Sequence, residues 1–309
     1  MPIQQSSNLP QMTRRSLLTM VGAGVAVYPS LQGAAQGIPG RVTKETRDLQ
    51  TSFTNPVVQT EISPKWVRVN FGGEMIADSR RVLLLRERGR TPVYYFPEED
   101  VRMDRMTPTD HHTQNERMGA ASYFTLKAGG KVVENAAWSY PQPHASAPGL
   151  DTAPDLRGYV AFSWDQMDGW YEEGEEVFVH ARDPYRRVDV LQSSREISVV
   201  LGGVKVAESK RPVLLFETTL PTRHYLPKAD VRVDLLRPSD TITRCPYKGE
   251  AHYYSVAIGD RLFKDVVWYY RYPTTETSKI ANHLAFYNEM VDATFGDGQE
   301  IPKPQRPAR

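Results

Sequence analysis

The chain has one cysteine, Cys245, among its 309 residues. One cysteine cannot form an internal disulfide, which excludes a disulfide-stapled fold. It also excludes structural zinc sites built from paired cysteines. The adjacent histidines His111 and His112 would point to opposite faces of a strand, and the other histidines have no evident partners. No metal site is therefore predicted, and no cofactor is assigned.

The chain also lacks an excess of charge of either sign. Its 38 basic and 37 acidic residues give a formal net charge of +1. Nucleic acids and anionic membrane surfaces attract proteins through basic patches or stripes. Because basic and acidic residues balance, the net charge favours binding to neither partner. We therefore expect no nucleic-acid binding.

Long hydrophobic runs are missing except near the N-terminus. The basic pair Arg14-Arg15 precedes an uncharged run at residues 19–27, and small residues follow at Gly33-Ala34-Ala35. This order is typical of an export signal, and the paired arginines resemble a twin-arginine signal. The run is too short for a stable membrane span. We expect residues 1–35 to be a signal peptide of a periplasmic or extracellular protein; if the signal is not used, the protein is cytoplasmic.

After a polar stretch at residues 36–60, which we assign to a linker, the sequence repeats itself. Motifs recur 130 positions later, and near the end of each copy the spacing shortens to 124. The corresponding pairs include Gly72-Gly73 with Gly202-Gly203, Asp78-Ser79-Arg80-Arg81 with Glu208-Ser209-Lys210-Arg211, Asp100-Val101-Arg102 with Asp230-Val231-Arg232, Trp138 with Trp268, and Ala161-Phe162 with Ala285-Phe286. A spacing this long indicates duplicated domains and not a solenoid.

Each copy has the pattern of antiparallel β structure. Alternating apolar and polar residues precede Gly72-Gly73 and Gly202-Gly203, which are typical hairpin turns. No stretch of helical period exceeds about two turns, so helix should be minor. We assign residues 61–182 to the first copy and 195–302 to the second. Residues 183–194 are assigned to a linker and 303–309 to a disordered tail. The core of each copy should gather matching leucine and aromatic residues: Leu84, Leu85, Tyr95, Trp138, Phe162 and Trp164 in the first, and Leu214, Leu215, Tyr225, Tyr254, Trp268 and Phe286 in the second.

These motifs together resemble the Domain of Unknown Function 427 family in its two-copy form. The match runs in order over about residues 62–302 and includes Leu220-Pro221-Thr222-Arg223-His224-Tyr225-Leu226-Pro227, Thr243-Arg244-Cys245-Pro246-Tyr247-Lys248-Gly249, Trp138-Ser139-Tyr140-Pro141 and His180-Ala181-Arg182-Asp183-Pro184-Tyr185. The resemblance implies a compact, mainly antiparallel domain similar to the β-tent class. It implies no established activity, although a nucleotidyltransferase-like label is attached to the family. The sequence shows no glycine-rich phosphate loop and no paired-aspartate metal motif.

The two copies differ at the Cys-Pro-Tyr-Lys-Gly element, residues 245–249. The first copy has Asn115-Glu116-Arg117-Met118-Gly119 there. Either the second copy alone keeps the function of this element, or the first copy caps the same loop in another way. Acids such as Glu87 and Glu217 recur in both copies, and we expect them to form internal ion pairs.

Three functional hypotheses follow. The first is that the protein binds a small, possibly anionic molecule in a pocket of the second copy or between the copies, lined by Arg223, Tyr225, Tyr247, Lys248, His252 and Trp268. The second is an enzyme, possibly nucleotidyltransferase-like, that uses Cys245 as nucleophile or Lys248. Against it, a free cysteine is often a buried apolar thiol. The third is a non-catalytic structural or interaction protein. No membrane span and no oligomeric state are assigned.

Overall fold

The computed structural model describes residues 58–142 and 155–304. The predicted signal peptide at residues 1–35 lies outside them. So do the predicted linker up to residue 57 and the predicted tail from residue 305 onward.

In its described residues, the first copy has eleven strands and three short 3-10 helices. The strands are β1 (Val58–Ile62), β2 (Val67–Phe71), β3 (Glu74–Ser79), β4 (Leu83–Glu87), β5 (Val93–Pro97), β6 (Met106–Asn115), β7 (Gly119–Ala128), β8 (Lys131–Ser139), β9 (Tyr159–Phe162), β10 (Gly169–Glu172) and β11 (Glu175–Glu176). The 3-10 helices are Glu98–Asp100, Met103–Arg105 and Trp164–Gln166.

The second copy has the same number of strands and 3-10 helices. Its strands are β12 (Val188–Gln192), β13 (Ile197–Leu201), β14 (Val204–Ser209), β15 (Val213–Glu217), β16 (Arg223–Leu226), β17 (Leu236–Cys245), β18 (Gly249–Ile258), β19 (Arg261–Pro273), β20 (Leu284–Phe286), β21 (Ala293–Gly296) and β22 (Gln299–Glu300). Its 3-10 helices are Lys228–Asp230, Val233–Leu235 and Thr275–Ile280.

Each copy folds into a seven-stranded large sheet and a four-stranded small sheet, all antiparallel. The large sheets have the orders β1-β4-β5-β9-β8-β7-β6 and β12-β15-β16-β20-β19-β18-β17. The small sheets have the orders β11-β10-β2-β3 and β22-β21-β13-β14. The strand order is therefore identical in the two copies. The predicted mainly β, two-copy architecture with little helix is confirmed.

The predicted hairpin turns follow from glycine pairs. Gly72 and Gly73 join β2 to β3 with φ angles of +61° and +76°. Residues other than glycine adopt such angles at a cost, because the Cβ atom clashes with the backbone. A Cβ atom on Gly72 would also collide with the carbonyl of Ala128. Glycine at position 72 is therefore required both by the turn and by the close approach of the neighbouring strand end.

The large sheet is buried on both faces. In β5, Tyr94 and Phe96 pack toward the small sheet in the inner core, whereas Tyr95 packs on the opposite face in an outer cluster. The second copy repeats this with Leu226 in its inner core and Tyr225 in its outer cluster. Full burial of a Phe-sized side chain stabilises a fold by roughly 1.5–3 kcal/mol. The sheet is therefore held by apolar contacts from two sides.

Most of the predicted core residues are buried, and three are only half-buried. Trp138 and Trp164 in the first copy and Tyr254 in the second keep part of their surface in solvent. Trp138 lies at the rim of the outer cluster of the first copy. Its counterpart Trp268 is buried, with 6% of its surface exposed.

Two edge strands lie partly or wholly in segments that the sequence assigns to linkers. β1 begins within residues 36–60, and β12 lies within residues 183–194. β12 pairs with β15 as β1 pairs with β4. Each of these edge strands buries only one residue, Val58 or Val190. One buried residue leaves no alternating hydrophobic pattern in the sequence.

Candidate functional site

The Cys-Pro-Tyr-Lys-Gly element forms the tight turn between β17 and β18. Cys245 pairs with Gly249 across the turn, and the backbone N–H of Lys248 donates to the carbonyl of Cys245 at 3.3 Å. Gly249 has a φ angle of +96°, and a Cβ atom there would approach the carbonyl of Tyr272 to 3.1 Å. The positive φ angle and the nearby carbonyl thus favour glycine at position 249.

Lys248 is held by a buried carboxylate. Its ammonium group is paired with Oε2 of Glu217, and the Nε of Arg186 lies 2.8 Å from Oε1 of the same side chain. The Glu217 side chain is 4% exposed and the Lys248 side chain 13%. A carboxylate buried to this degree is tolerated because two cations and their hydrogen bonds compensate for its lost hydration.

Tyr247 of the same element docks onto residues 178–187, the connector that leads from the first copy into the second. Its hydroxyl oxygen accepts a hydrogen bond of 2.7 Å from the backbone N–H of Asp183. The guanidinium carbon of Arg186 lies 5.5 Å from the centre of the Tyr247 ring, and the His180 ring lies 5.9 Å away. Burial raises the pKa of Tyr247 above its ordinary value. The element therefore fastens the connector to the second copy.

Cys245 is half-buried and free. Within the described part of the chain, no hydrogen bond or ion pair joins its thiol to the side chains of its basic neighbours. Arg244 instead pairs with Glu250 at 3.2 Å, and Nε2 of His252 lies 3.5 Å from a Glu250 oxygen. These contacts give the thiol no activating base or cation of the kind that reactive cysteines use.

Arg223, Tyr225 and Trp268 meet in the outer cluster of the second copy. Arg223 forms a two-pronged ion pair with Glu289, with distances of 2.9 and 2.7 Å, and its guanidinium lies 5.5 Å from the Trp268 ring centre. The indole N–H of Trp268 donates to the Tyr225 hydroxyl at 3.1 Å. Burial raises the pKa of Tyr225, which is 1% exposed. These three side chains are packed as a second core.

Five of the six residues predicted to line a pocket thus fall into two groups. Tyr247 and Lys248 lie at the connector, and Arg223, Tyr225 and Trp268 lie in the outer cluster. His252 belongs to neither group: it packs against Tyr269 at 5.6 Å between ring centres. Along β18 the outer-cluster residues are Ala251 and Tyr253, the neighbours of His252 in sequence. His252 therefore projects from the other face of the sheet.

The first copy caps the corresponding loop differently. The side-chain oxygen of Asn115 accepts hydrogen bonds from the backbone N–H groups of Arg117 and Met118, at 2.8 and 3.1 Å. Glu87, which corresponds to Glu217, pairs with Arg90 at 3.1 Å. The first copy therefore keeps the carboxylate and the turn without the lysine.

A cleft of about 450 Å³ lies beside the connector, between the two copies. We name it the arginine cleft, because four arginines line it: Arg86 on β4, Arg88 and Arg90 in the β4–β5 loop, and Arg186 in the connector. Thr218 and Thr219 of the second copy complete its walls. None of the site residues predicted from the sequence lines it. The signal for it was the alternating run Arg86-Glu87-Arg88-Gly89-Arg90, where the second copy has Phe216-Glu217-Thr218-Thr219-Leu220.

Arg86 is fixed at the wall of the cleft by residues of the first copy and of the connector. Its guanidinium carbon lies 4.1 Å from the centre of the Tyr185 ring, and one terminal nitrogen donates to Gln59 at 2.6 Å. The Tyr185 hydroxyl in turn donates to Glu61 at 2.8 Å. The Nε of Arg86 is buried and has no hydrogen-bond partner among the described residues.

Across residues 58–142 and 155–304, no group of three or more His, Cys, Asp or Glu side chains is arranged to hold a metal ion. Within the same ranges no helix is long and apolar enough to cross a membrane.

Comparison with known proteins agrees with the sequence and the fold. None of the curated proteins matches the chain. The family described as "Domain of unknown function (DUF427)" matches twice, over residues 59–173 and 189–297. The two matched regions correspond to the two copies and cover well over half of the chain. The chain therefore belongs to the DUF427 family and contains two tandem copies of its domain.

Proposed function

We propose that the protein binds a small, polar anion in the arginine cleft at the junction of the two copies. The observation that carries this proposal is the cluster of four arginines around one cavity. Guanidinium groups are suited to carboxylates and phosphates because their N–H donors form a planar fork. The ligand site then lies between the copies and not wholly within the second.

The charge of the cleft favours a dianion. Arg86, Arg88, Arg90 and Arg186 contribute four positive charges, and Glu87 and Asp183 contribute two negative ones. With histidine counted as neutral, the net charge of the lining is +2. A dianion such as a phosphate or a dicarboxylate would neutralise it.

The remaining lining favours a polar molecule. Thr91 and Thr219 bring hydroxyl groups to the walls, and these can donate to an oxyanion or accept from ligand hydroxyls. The hydroxyl of Thr218, also at the wall, is bonded to the backbone of Arg187. The volume lies within the usual range for small-molecule sites.

This function is preferred to catalysis by Cys245 or Lys248. The ammonium group of Lys248 is already paired with Glu217, and the thiol of Cys245 has no activating partner in the described residues. The outer cluster around Tyr225 and Trp268 is also less suited to a ligand, because its side chains are packed against each other.

Isothermal titration with inorganic phosphate, succinate and acetate tests the proposal. We expect the two dianions to bind more tightly than acetate. We expect Arg86→Gln to weaken phosphate binding by about tenfold, the usual loss for a charge-assisted hydrogen bond. Arg102→Gln is a matched control with the same change of charge, because Arg102 pairs with Asp104 outside the cleft. Equal loss in both variants, or no anion binding by the wild type, would contradict the proposal.

A further inference from the structure

Arg186, the arginine that the connector contributes to the cleft, is held by residues that are distant from it in sequence. Arg186 uses its Nε to bind Oε1 of Glu217 at 2.8 Å, and its guanidinium lies over the Tyr247 ring. Its side chain is 27% exposed, so it is partly accessible from the cleft. Two residues of the Cys-Pro-Tyr-Lys-Gly element thus support Arg186. Tyr247 contacts its guanidinium directly, and Lys248 acts through Glu217.

Lys248 limits how Glu217 can bind Arg186. A carboxylate with both oxygens available binds a guanidinium through two parallel hydrogen bonds. Here Lys248 occupies Oε2, so Arg186 is bound through Nε to Oε1. The terminal nitrogens of Arg186 are then not drawn into a fork with Glu217. A guanidinium held in this way keeps donors for an anion in the cleft.

The difference between the two copies supports this reading. Positions 130 residues apart correspond, so Arg186 corresponds to Pro56, Tyr247 to Arg117 and Lys248 to Met118. The first copy has no arginine at the position of Arg186, and it also lacks the tyrosine and the lysine. The three residues are thus present together in one copy and absent together in the other.

We propose that Tyr247 and Lys248 are positioning residues of the cleft, which orient Arg186 toward the bound anion through the Tyr247 ring and the carboxylate of Glu217. The inference rests on the proposed function, since it assigns these residues a part in the same anion site. It explains why the second copy retains the Cys-Pro-Tyr-Lys-Gly element without giving Lys248 or Cys245 a chemical step.

A double-mutant cycle with inorganic phosphate as the probe tests the inference. Lys248→Met copies the residue of the first copy. We expect it to weaken phosphate binding by about five- to tenfold, and Arg186→Met to weaken it at least as much. In the Arg186→Met background, Lys248→Met should have no further effect, because its target is gone. Lys248→Arg, which can still occupy Oε2 of Glu217, should restore most of the affinity.

A matched control separates positioning from general loss of stability. Arg223→Met breaks another partly buried ion pair of the second copy, with Glu289, outside the cleft. It should lower the melting temperature without changing the affinity for phosphate. Full additivity of Lys248→Met and Arg186→Met, or an equal loss of affinity in Arg223→Met, would overturn the inference. If Arg86→Gln weakens binding while Arg186→Met does not, the inference fails and the anion site stands.

A second measurement does not depend on binding. In spectra of protein labelled with ¹⁵N-arginine, the Nε–H of Arg186 should exchange slowly with solvent because Glu217 holds it in a shielded contact. In Lys248→Met its terminal N–H protons should also become protected, as the fork with Glu217 forms. An Arg186 Nε–H that exchanges as fast as in the unfolded chain would overturn the inference even if no phosphate bound.

Discussion

His224 shows how a single buried side chain makes stability depend on pH. It lies on β16, 9% exposed, and its Nδ1 has no hydrogen-bond partner among the described residues. Burial, followed by the nearby charges of Arg223 and Arg195, lowers its pKa from 6.5 to about 4. The first copy has Tyr94 at this position, whose hydroxyl donates to Glu172 at 2.9 Å.

The direction of the pH effect follows from the two pKa values of His224. Between pH 6.5 and about 4 the unfolded chain binds a proton that the folded protein does not, so the free energy of unfolding falls as the pH falls through this window. Across the whole window, this proton uptake lowers the free energy of unfolding by about 3 kcal/mol. Urea denaturation at pH 7.5, 6 and 5 should show a steeper loss for the wild type than for His224→Leu. Parallel losses in the two proteins would show that carboxylates, and not His224, cause the acid sensitivity.

At the scale of elements, a repeated acid fixes the loop after β5 and β16. Asp230 accepts a hydrogen bond from Ser209 at 2.7 Å and pairs with Arg211, and Asp100 makes the same contacts with Ser79 and Arg81. Arg211 and Ser209 lower the pKa of Asp230 below its ordinary value. The contact joins the 3-10 helix Lys228–Asp230 to the end of β14 and to the segment that links β14 to β15, so it connects two parts of the fold.

We expect Asp230→Asn to destabilise the protein by about 1 kcal/mol, because a neutral amide weakens both contacts. Asp234→Asn is the matched control: its partner Arg232 and its own side chain are both more than half exposed. Exposed pairs contribute little to stability, so this variant should unfold at almost the wild-type urea concentration. Equal midpoints for the two variants would show that the Asp230 contact does not fix the loop.

Elements with strong local signals could be predicted from the sequence. The glycine-pair hairpins and the identical order of motifs in both copies give the sheets and the duplication. The edge strand β12 could not be predicted, since only Val190 of its five residues is buried.

The turn that holds Lys248 was evident, but its partners were not. Glu217 precedes Lys248 by 31 residues and Arg186 lies further back, and the pairing of β15 with β12 brings them together. Tyr225 and Trp268, which are predicted to bind a ligand, pack against each other in the outer cluster.

At the scale of the whole molecule, the two copies have separate cores and a polar junction. The inner core and outer cluster of each copy contain residues of that copy alone. The junction is held by contacts such as the Tyr247–Asp183 and Tyr185–Glu61 hydrogen bonds. Polar junctions of this kind couple domains more weakly than a shared apolar core does.

The separate cores lead us to expect two unfolding transitions. Leu85 and Leu215 occupy the same position in the two outer clusters and are 3% and 1% exposed. Replacing either with Ala should cost about 2–5 kcal/mol, from lost burial and the cavity left behind. In differential scanning calorimetry, Leu85→Ala should lower one transition and Leu215→Ala the other, each leaving the second in place. A single transition that both variants lower equally would show instead that the contacts along the connector bind the two copies into one cooperative unit. Phosphate in the arginine cleft should bring the two transitions closer together. An anion bound by Arg86 of the first copy and by Arg186, which Glu217 of the second copy holds, stabilises only the state in which both copies are folded.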